Sequence, residues 1–263
     1  MYPLNLIKSF IRVSIQQDVS YRANFWINLL HSLLNLTVAI LAVMILFGQI
    51  KTLNGWDLSA TLGLVGVYLT VSAFRGLFIG PSLEALVGLG QEIWSGQFDF
   101  TLLRPLNTQF LVTFRIWRPY ALLDLLLGIV VITYAVALNP LVIHWLQWIH
   151  FFIAMIAAVV TLYAILLAFS ALVFWSPGFL FTWVFDSIFQ LARYPISIYP
   201  PVIKVLLTWI IPIAVITTIP AQALSGQSSL SAALIALGFA AILFLFASWI
   251  FQKGIKRYHS ASS

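Results

Sequence analysis

The chain has 263 residues and a formal net charge of +6, with 62% hydrophobic and only 8% charged residues. A soluble domain of this length cannot shield so much apolar surface from water, so the composition excludes a soluble globular protein. The chain contains no cysteine, which excludes disulfides, thiolate metal sites and thiol nucleophiles. It also lacks a Gly-x-x-x-x-Gly-Lys-Ser/Thr phosphate loop, so it cannot hydrolyse ATP by that route.

Residues 1–22 predict an amphipathic helix rather than a membrane span or a cleaved signal. Leu4, Ile7, Ile11 and Ile15 recur every three or four positions, and polar or charged side chains fall between them. This spacing gives a helix one apolar face. A helix of this kind lies in the interfacial plane of a bilayer, with its polar face toward water.

Five apolar runs are long enough to cross a bilayer, since a span needs about 20 mostly apolar residues. They cover residues 24–48, 58–80, 111–138, 145–175 and 230–251. Lys and Arg residues precede the first run, bracket the connection between the second and third, and follow the last. The positive-inside rule therefore places both termini in the cytoplasm and explains the positive charge without a nucleic-acid partner. Termini on one side require an even number of crossings, and six is the most economical count.

The fifth crossing has two candidate segments. Residues 179–198 are moderately apolar but contain Asp186, Gln190 and Arg193. Residues 202–219 are more apolar but are broken by Pro212. If the first segment crosses, the second must be a re-entrant hairpin on the outer side. If the second crosses, the first lies on the inner surface, and hydropathy and charge favour this option.

The longest polar connection is residues 81–107, on the predicted cytoplasmic side, which we call the elbow. It holds three of the seven acidic residues of the chain, and Gly96 and Pro105 divide it into short segments. A folded elbow between two spans is a place where a soluble partner can push on a membrane domain. The alternative is a solvated loop that binds no partner, but the length and acidity of the elbow favour coupling to a partner.

Several segments, in this order, resemble the ABC-2 type permeases, the membrane half of ATP-driven transporters. The closest branch pairs two small permeases with a separate ATPase. The resemblance rests on the amphipathic N-terminal helix before six spans and on three segments. These segments are EIWSGQFDFTLLRPL at residues 92–106, FWSPG after the fourth span, and the Pro-rich residues 194–226 before the last span.

The resemblance implies an all-α integral membrane fold, with residues 1–263 forming one permease domain in the plasma (inner) membrane. It makes residues 179–198 the fifth span and residues 200–226 an outer re-entrant hairpin, and we adopt this topology against the hydropathy preference. It also implies an exporter whose partner ATPase carries ATP and Mg²⁺, with no cofactor in this chain. A second permease, either a copy or a different chain, completes the membrane part.

The resemblance further implies that the ATPase grips the elbow. The residues that we expect to contact it are Glu84, Gln91, Glu92, Trp94, Gly96 and Asp99. Two charges in the spans, Arg75 and Asp124, each lie about 9 Å from the inner boundary at a rise of 1.5 Å per residue. A charge at this depth is costly unless it is paired, so we predict an ion pair between them. The alternatives are snorkelling of Arg75 to the interface and a direct role in substrate passage.

A second polar set is expected to line a translocation path between two permeases. Asp186, Gln190 and Arg193 are spaced i, i+4, i+7, so they share one face of an α-helix. On a spanning helix this face must meet protein or water. The alternative is a helix on the membrane surface.

Two other classes of function remain open from the residues alone. A stand-alone secondary carrier needs buried carboxylates for ion coupling, and Asp124 and Asp186 are the candidates. A membrane-embedded enzyme needs His, Asp and Glu side chains converging at one depth, which four scattered histidines do not provide. We therefore predict no catalytic residue and no metal site.

Overall fold

The computed structural model of the protein describes residues 3–20, 22–87, 92–139, 144–176 and 181–258. This described part is helical, with no strand in it. The α-helices are α1 (Pro3–Ser20), α2 (Arg22–Phe47), α3 (Leu58–Phe74), α4 (Gly80–Glu84), α5 (Glu92–Ser95), α6 (Phe98–Leu102), α7 (Thr108–Phe114), α8 (Ala121–Leu138), α9 (Trp145–Ala171), α10 (Phe181–Phe189), α11 (Pro201–Val205), α12 (Ile219–Leu224) and α13 (Leu230–Arg257). Short 3-10 segments are Leu172–Phe174, Gln190–Arg193 and Ile196–Ile198, and π-helical turns are Arg75–Ile79, Leu206–Ile210 and Ala214–Thr218.

Five of these helical stretches are long and apolar enough to cross a membrane. They are Ala23–Phe47, Leu58–Glu84, Ala121–Leu138, Trp145–Phe174 and Leu230–Arg257. A sixth candidate is the pair Pro201–Ile210 and Ala214–Leu224, whose two arms are bent by 80°. The chain is therefore a multi-pass, all-helical membrane protein.

The bundle is built around α3 and α9. In the apolar, membrane-spanning part of each of these helices 61% of the residues are buried, whereas in that of α2 only 6% are. The contact of α3 with α8 is close because glycines face each other. A Cβ on Gly66 would lie 2.7 Å from Cγ1 of Ile132, and a Cβ on Gly128 would lie 2.6 Å from Oγ1 of Thr70. Small residues allow membrane helices to approach each other in this way.

Three of the long helices, α3, α9 and α13, begin at polar side chains. Asp57 accepts a hydrogen bond from the backbone N–H of Ala60 at 2.7 Å and so starts α3. Ser229 caps α13 in the same way, through the N–H of Ala232 at 3.3 Å. Before α9, the side chain of Gln147 accepts from the N–H of His144 at 3.0 Å. These caps satisfy N–H groups that have no partner inside the helix.

The two ends of the bundle differ in charge. At one end, which we call the basic end, the backbone N–H of Arg118 donates to the carbonyl of Leu77 at 2.8 Å. The α13 terminus reaches the same end, because Tyr258 packs on Phe98 of the elbow with ring centroids 5.1 Å apart. The opposite end carries the caps of α3, α9 and α13. Of the described residues of α1, Ser14 contacts the basic end, where its Oγ accepts from the N–H of Trp117 at 3.1 Å.

Several span boundaries differ from those predicted. The third predicted span, residues 111–138, is too long, because α7 is a separate helix and α8 begins only at Ala121. Pro119 lies in the break, where it disfavours a helical residue before it. The last predicted span, residues 230–251, continues as helix to Arg257. The predicted fifth span, residues 179–198, contains α10 followed by two 3-10 segments rather than one long α-helix.

Candidate functional site

The elbow is a chain of short helices at the basic end. The carbonyl of Ala85 accepts from the N–H of Glu92 at 3.2 Å, which closes the connection between α4 and α5. Gly96 ends α5 with φ of 75°, a left-handed conformation that glycine adopts without strain. Gln91, one of the predicted coupling residues, lies outside the described residues. The described residues of the elbow, 81–87 and 92–107, therefore form short helices rather than an open loop.

The acidic side chain of Glu92 is directed into the protein. Its Oε1 forms an ion pair with Nη2 of Arg115, and its Oε2 accepts from Oγ1 of Thr101 at 3.4 Å. Arg115 also donates to Oγ1 of Thr101 at 3.4 Å. The side chains of Arg115 and Glu92 are 16% and 15% exposed. This triad ties α5 and α6 to the residue that follows α7.

A second network joins the elbow to α10. Arg75 Nη2 lies 2.6 Å from Oδ1 of Asp186 on α10 and 3.6 Å from Oε1 of Glu84 in the elbow. Glu84 also pairs with Arg118 at 3.4 Å. The Arg75–Asp186 contact is the shortest of these pairs, while Asp186, Glu84 and Arg118 are each about two-fifths exposed.

The predicted ion pair between Arg75 and Asp124 is wrong. Arg75 reaches Asp186 and Glu84 instead, while Asp124 lies beside Ser32 and His31 of α2. Arg75 thus contacts carboxylates, but not the one that the sequence predicted. The rotation of α8, which turns Asp124 toward α2, decided which acid Arg75 meets.

The backbone around Arg75 is irregular. A π-helical turn, Arg75–Ile79, interrupts the run of α3 into α4. π-helical turns occur frequently at functional sites because they shift the side chains that follow. Ser82 then fixes the connection, donating to the carbonyl of Ile116 and accepting from its N–H, both at 2.9 Å. The position of Arg75 thus depends on the π-helical turn and on the contact of Ser82 with the backbone of Ile116 at the basic end.

The outer surface of the elbow is apolar rather than acidic. Its exposed large apolar side chains are Trp94 at 52%, Phe100 at 68%, Leu103 at 79% and Leu106 at 41%. We call these four residues the elbow apolar surface. Exposed apolar groups of this size outside a span are typical of a surface that meets a partner or a membrane.

The opposite side of the elbow anchors it to the ends of two spans. Phe98 is fully buried, and its ring lies 5.5 Å from that of Phe174 after α9. Asp99 is half-buried beside Tyr258. Burial, together with the charge of Asp99, raises the pKa of Tyr258 to about 12. The elbow is therefore packed against the ends of both α9 and α13.

The predicted polar face of residues 186–193 is divided between two environments. Asp186 pairs with Arg75, whereas Arg193 stacks over the ring of Tyr68 at 5.2 Å from its centroid. Gln190 is exposed. The three residues do not share one α-helical face, because α10 ends at Phe189 and the 3-10 segment that follows has about three residues per turn.

Two arginines in these networks, Arg115 and Arg118, were interpreted from the sequence only as markers of the cytoplasmic side. Because both follow an acidic connection at the same predicted boundary, they could have indicated that ion pairs hold the elbow. The apolar surface was visible as Leu102–Leu103 before Arg104, within the segment that resembles the permeases. Among the described residues, no group of three or more His, Asp or Glu side chains comes together to hold a metal ion.

Comparison with protein families gives one match, which covers most of the chain. The model described as an ABC-2 family transporter protein matches residues 33–262. A comparison with curated proteins found no match. Permeases of the matched family are membrane components of transporters and generally work with an ATPase partner. The five or six spans of this structure agree with that role, and the chain belongs to the ABC-2 transporter family.

Proposed function

We propose that the chain is the permease subunit of an ATP-driven exporter and that a separate ATPase chain drives it through the elbow. The observation that carries this proposal is the division of the elbow into two sides. Glu84 and Glu92 are paired within the chain, so the side left for a partner is the elbow apolar surface. A surface of this kind buries well against a groove on a soluble protein.

The coupling path runs from the elbow through Arg75 to α10. Glu84 of the elbow and Asp186 of α10 contact the same guanidinium. Displacement of the elbow by the ATPase would move Arg75 and so shift Asp186. Energy enters because the ATPase binds two membrane conformations with different affinity. In this proposal Glu84, Glu92 and Asp99 hold the elbow in place, and Trp94 meets the ATPase.

Contacts at both ends support residues 181–198 as the fifth span. Asp186 pairs with Arg75 at the basic end, while the carbonyl of Ser197 accepts from Nδ2 of Asn54 at 3.0 Å. Asn54 lies in the connection before α3, at the opposite end. Nine α-helical and seven 3-10 residues extend about 27 Å at rises of 1.5 and 2.0 Å. This length is close to the hydrocarbon thickness of about 30 Å.

The predicted hairpin, residues 200–226 of the Pro-rich segment, begins and ends at the opposite end, which supports a re-entrant path. It starts three residues after Ser197. It returns at Gly226, where a Cβ would lie 2.7 Å from Nε2 of Gln147 at the start of α9. The basic end would then face the cytoplasm by the positive-inside rule. With residues 181–198 crossing, the count is six and both termini are cytoplasmic, with α1 on the inner surface of the plasma membrane.

A second permease is expected against α2. Nδ2 of the half-buried Asn35 lies 3.1 Å from Nδ1 of the exposed His31, which neighbours Asp124 on α8. Polar side chains inside a span avoid lipid, so this face is better suited to a second permease, whether a copy or a different chain. The exposed Gln190 of the fifth span would then lie near the boundary between the two subunits.

The elbow apolar surface is tested by co-purification. We expect Trp94→Ala combined with Leu103→Ser to reduce recovery of the ABC ATPase chain with the tagged permease by about tenfold, the effect of losing about 1.4 kcal/mol. The matched control is Trp209→Ala, because Trp209 is 71% exposed at the opposite end. Full recovery of the ATPase with the double variant, or equal loss with the control, contradicts the proposal.

The topology is tested with single cysteines, since the chain has none of its own. In the re-entrant topology, a cysteine at Lys204 is labelled by an impermeant thiol reagent on intact cells. Gln227→Cys is the positive control, and Arg104→Cys at the basic end should be labelled only after the membrane is opened. If Lys204→Cys behaves like Arg104→Cys while Gln227→Cys labels from outside, residues 202–219 are the fifth span.

A further inference from the structure

Two neighbouring cavities form one long groove on the side of the bundle. The first has a volume of about 680 Å³ and is bordered by α7, α9 and α13. The second has a volume of about 650 Å³ and is bordered mainly by α8 and α9. Both are lined by Val159 and Val160 in the middle of α9. From Trp148 to Tyr163 the groove follows α9 for about 22 Å at a rise of 1.5 Å per residue.

The half of the groove nearer the opposite end is apolar. Ile129, Ile132, Phe152 and Met155 are among its lining residues. Two threonines also line it, but their hydroxyl protons are already used. Thr70 donates to the carbonyl of Gly66 at 2.9 Å. Thr133 on α8 donates to the carbonyl of Val130, one turn before it, at 2.9 Å. With both hydroxyl protons used, the remaining polar group of this half is the indole N–H of Trp148 at its far end, so its length suits an alkyl chain.

The half nearer the basic end carries an uncharged polar cluster. Thr113 donates to the carbonyl of Gln109 at 2.7 Å, so its Oγ1 can only accept from the hydroxyl of Tyr163, 2.7 Å away. Tyr163, having used its proton, accepts from Nε2 of Gln109 at 3.3 Å. The same amide nitrogen donates to Oγ of Ser248 at 3.0 Å. These contacts assign the amide orientation of Gln109 from the proton count alone.

Within this cluster the proton count leaves one donor and one acceptor unused, and the exposed amides of Asn107 and Gln252 border the same half of the groove. Both protons of the Gln109 amide are used, and its Oε1 has no hydrogen bond to the described part of the chain. Ser248 accepts from Gln109 and its own proton has no acceptor there. A buried or half-buried polar group without a partner is costly. A hydroxyl group or an amide with an N–H on a ligand would satisfy both atoms, since each can donate to Oε1 of Gln109 and accept from Ser248.

We propose that this groove binds an uncharged amphiphile with one alkyl chain. The polar head lies at Gln109 and Ser248, and the chain runs along α9 past Val159 toward Trp148. No Lys, Arg, Asp or Glu is among the residues that line the groove. A phosphate or carboxylate head would thus be desolvated without a counter-charge. The proposal stands apart from ATPase coupling, because it concerns binding to the permease alone.

The test uses a monoacylglycerol with a diazirine in its alkyl chain. The full-length protein is placed in phosphatidylcholine nanodiscs with this probe, irradiated, digested and mapped by mass spectrometry. We expect adducts concentrated on α9 between Trp148 and Tyr163, removed by excess unlabelled monoacylglycerol. A palmitic acid carrying the same diazirine is the anionic comparison, and it should label these residues about tenfold less, since its charge is not matched.

Two sets of variants test the polar cluster and the apolar half of the groove independently. Val159→Trp fills the groove where the cavities meet and should abolish labelling on the Trp148 side. Ser248→Ala combined with Gln109→Leu removes the polar site and should lower competition by the unlabelled monoacylglycerol about tenfold. The matched control is Ile242→Trp, on the exposed face of α13 outside the groove. Thermal unfolding of each variant checks that it is folded.

Three results would overturn the proposal. Labelling that is unchanged in a folded Val159→Trp variant would place the probe elsewhere. Adducts spread over α2 and the other exposed helices, in proportion to exposure, would mean contact with bulk lipid only. Equal labelling by the anionic probe would mean that the Gln109 and Ser248 cluster does not recognise an uncharged head. If Val159→Trp is unfolded, the milder pair at Gln109 and Ser248 decides.

Discussion

The elbow and the Pro-rich segment are both broken into short helices, yet they are stabilised in opposite ways. The elbow is held by ion pairs through Glu84 and Glu92 and exposes apolar side chains. The second arm of the Pro-rich segment, Ala214–Leu224, has no charged side chain, and Ile216, Ala221 and Ala223 are fully buried in it. Irregular backbone outside the bilayer can be solvated and tied by charges. At membrane depth it persists only when other helices cover it.

The largest expected effect comes from removing one partner of an ion pair that holds the elbow. Arg115→Leu leaves Glu92 shielded without its partner, and we expect a loss of about 3 kcal/mol in the free energy of unfolding. Unfolding by SDS in mixed micelles, followed by tryptophan fluorescence, measures the change. The control is Arg104→Leu, because Arg104 is exposed in the same elbow, and it should change stability by less than about 0.5 kcal/mol.

Replacing Glu92 as well should recover much of that loss. Arg115→Leu with Glu92→Leu removes both charges, so neither is left unpaired. If the double variant is less stable than Arg115→Leu alone, the pair does not hold the elbow. The Thr101 hydroxyl would then be the main contact of Glu92.

A smaller effect tests which acid Arg75 needs. Arg75→Leu combined with Asp186→Leu should lose about 1–2 kcal/mol less than the sum of the single variants. Combined with Asp124→Leu instead, the losses should add, because Asp124 lies beside α2. The cycles are measured by the same SDS unfolding. Additive losses in the Asp186 cycle, or coupling in the Asp124 cycle, would reverse the assignment made from the structure.

The smallest effect compares one substitution in the two regions. Thr101 in the elbow is 2% exposed and bonded to Glu92 and Arg115. Thr217 in the Pro-rich segment is fully buried, and its Oγ1 has no hydrogen bond to the described residues. Thr101→Val should destabilise by about 1 kcal/mol and Thr217→Val should stabilise by a similar amount. The midpoint of thermal unfolding reports both signs. Destabilisation by Thr217→Val would mean that its hydroxyl has a partner.

The site could be predicted from the sequence only in part. The position of Arg75 in an apolar run led to a predicted ion pair with Asp124, and neither Glu84 nor Asp186 was predicted as its partner. Choosing among them depends on the rotation of each helix about its axis, which long-range packing decides. The glycines Gly66 and Gly128 bring α3 and α8 together, and their approach leaves Asp124 facing α2.

The role of the elbow was also read incompletely. Its position and its fold between two spans were predicted, but its acidity was taken as the surface for a partner. The structure pairs Glu84 and Glu92 internally and exposes Trp94 and Leu103. Charge alone does not say which way a side chain points. Arg115 lies more than 20 positions from Glu92 in the sequence, so folding had to bring them together.

Composition and apolar run length by themselves determined that this is an all-helical, multi-pass membrane protein, because the bilayer accepts few other arrangements of so apolar a chain. The order of its motifs also led to the ABC-2 transporter family. Only the tertiary structure decided the pairing of Arg75 with Asp186, the apolar surface of the elbow and the groove along α9. These features join residues far apart in sequence, and helix packing sets their contacts.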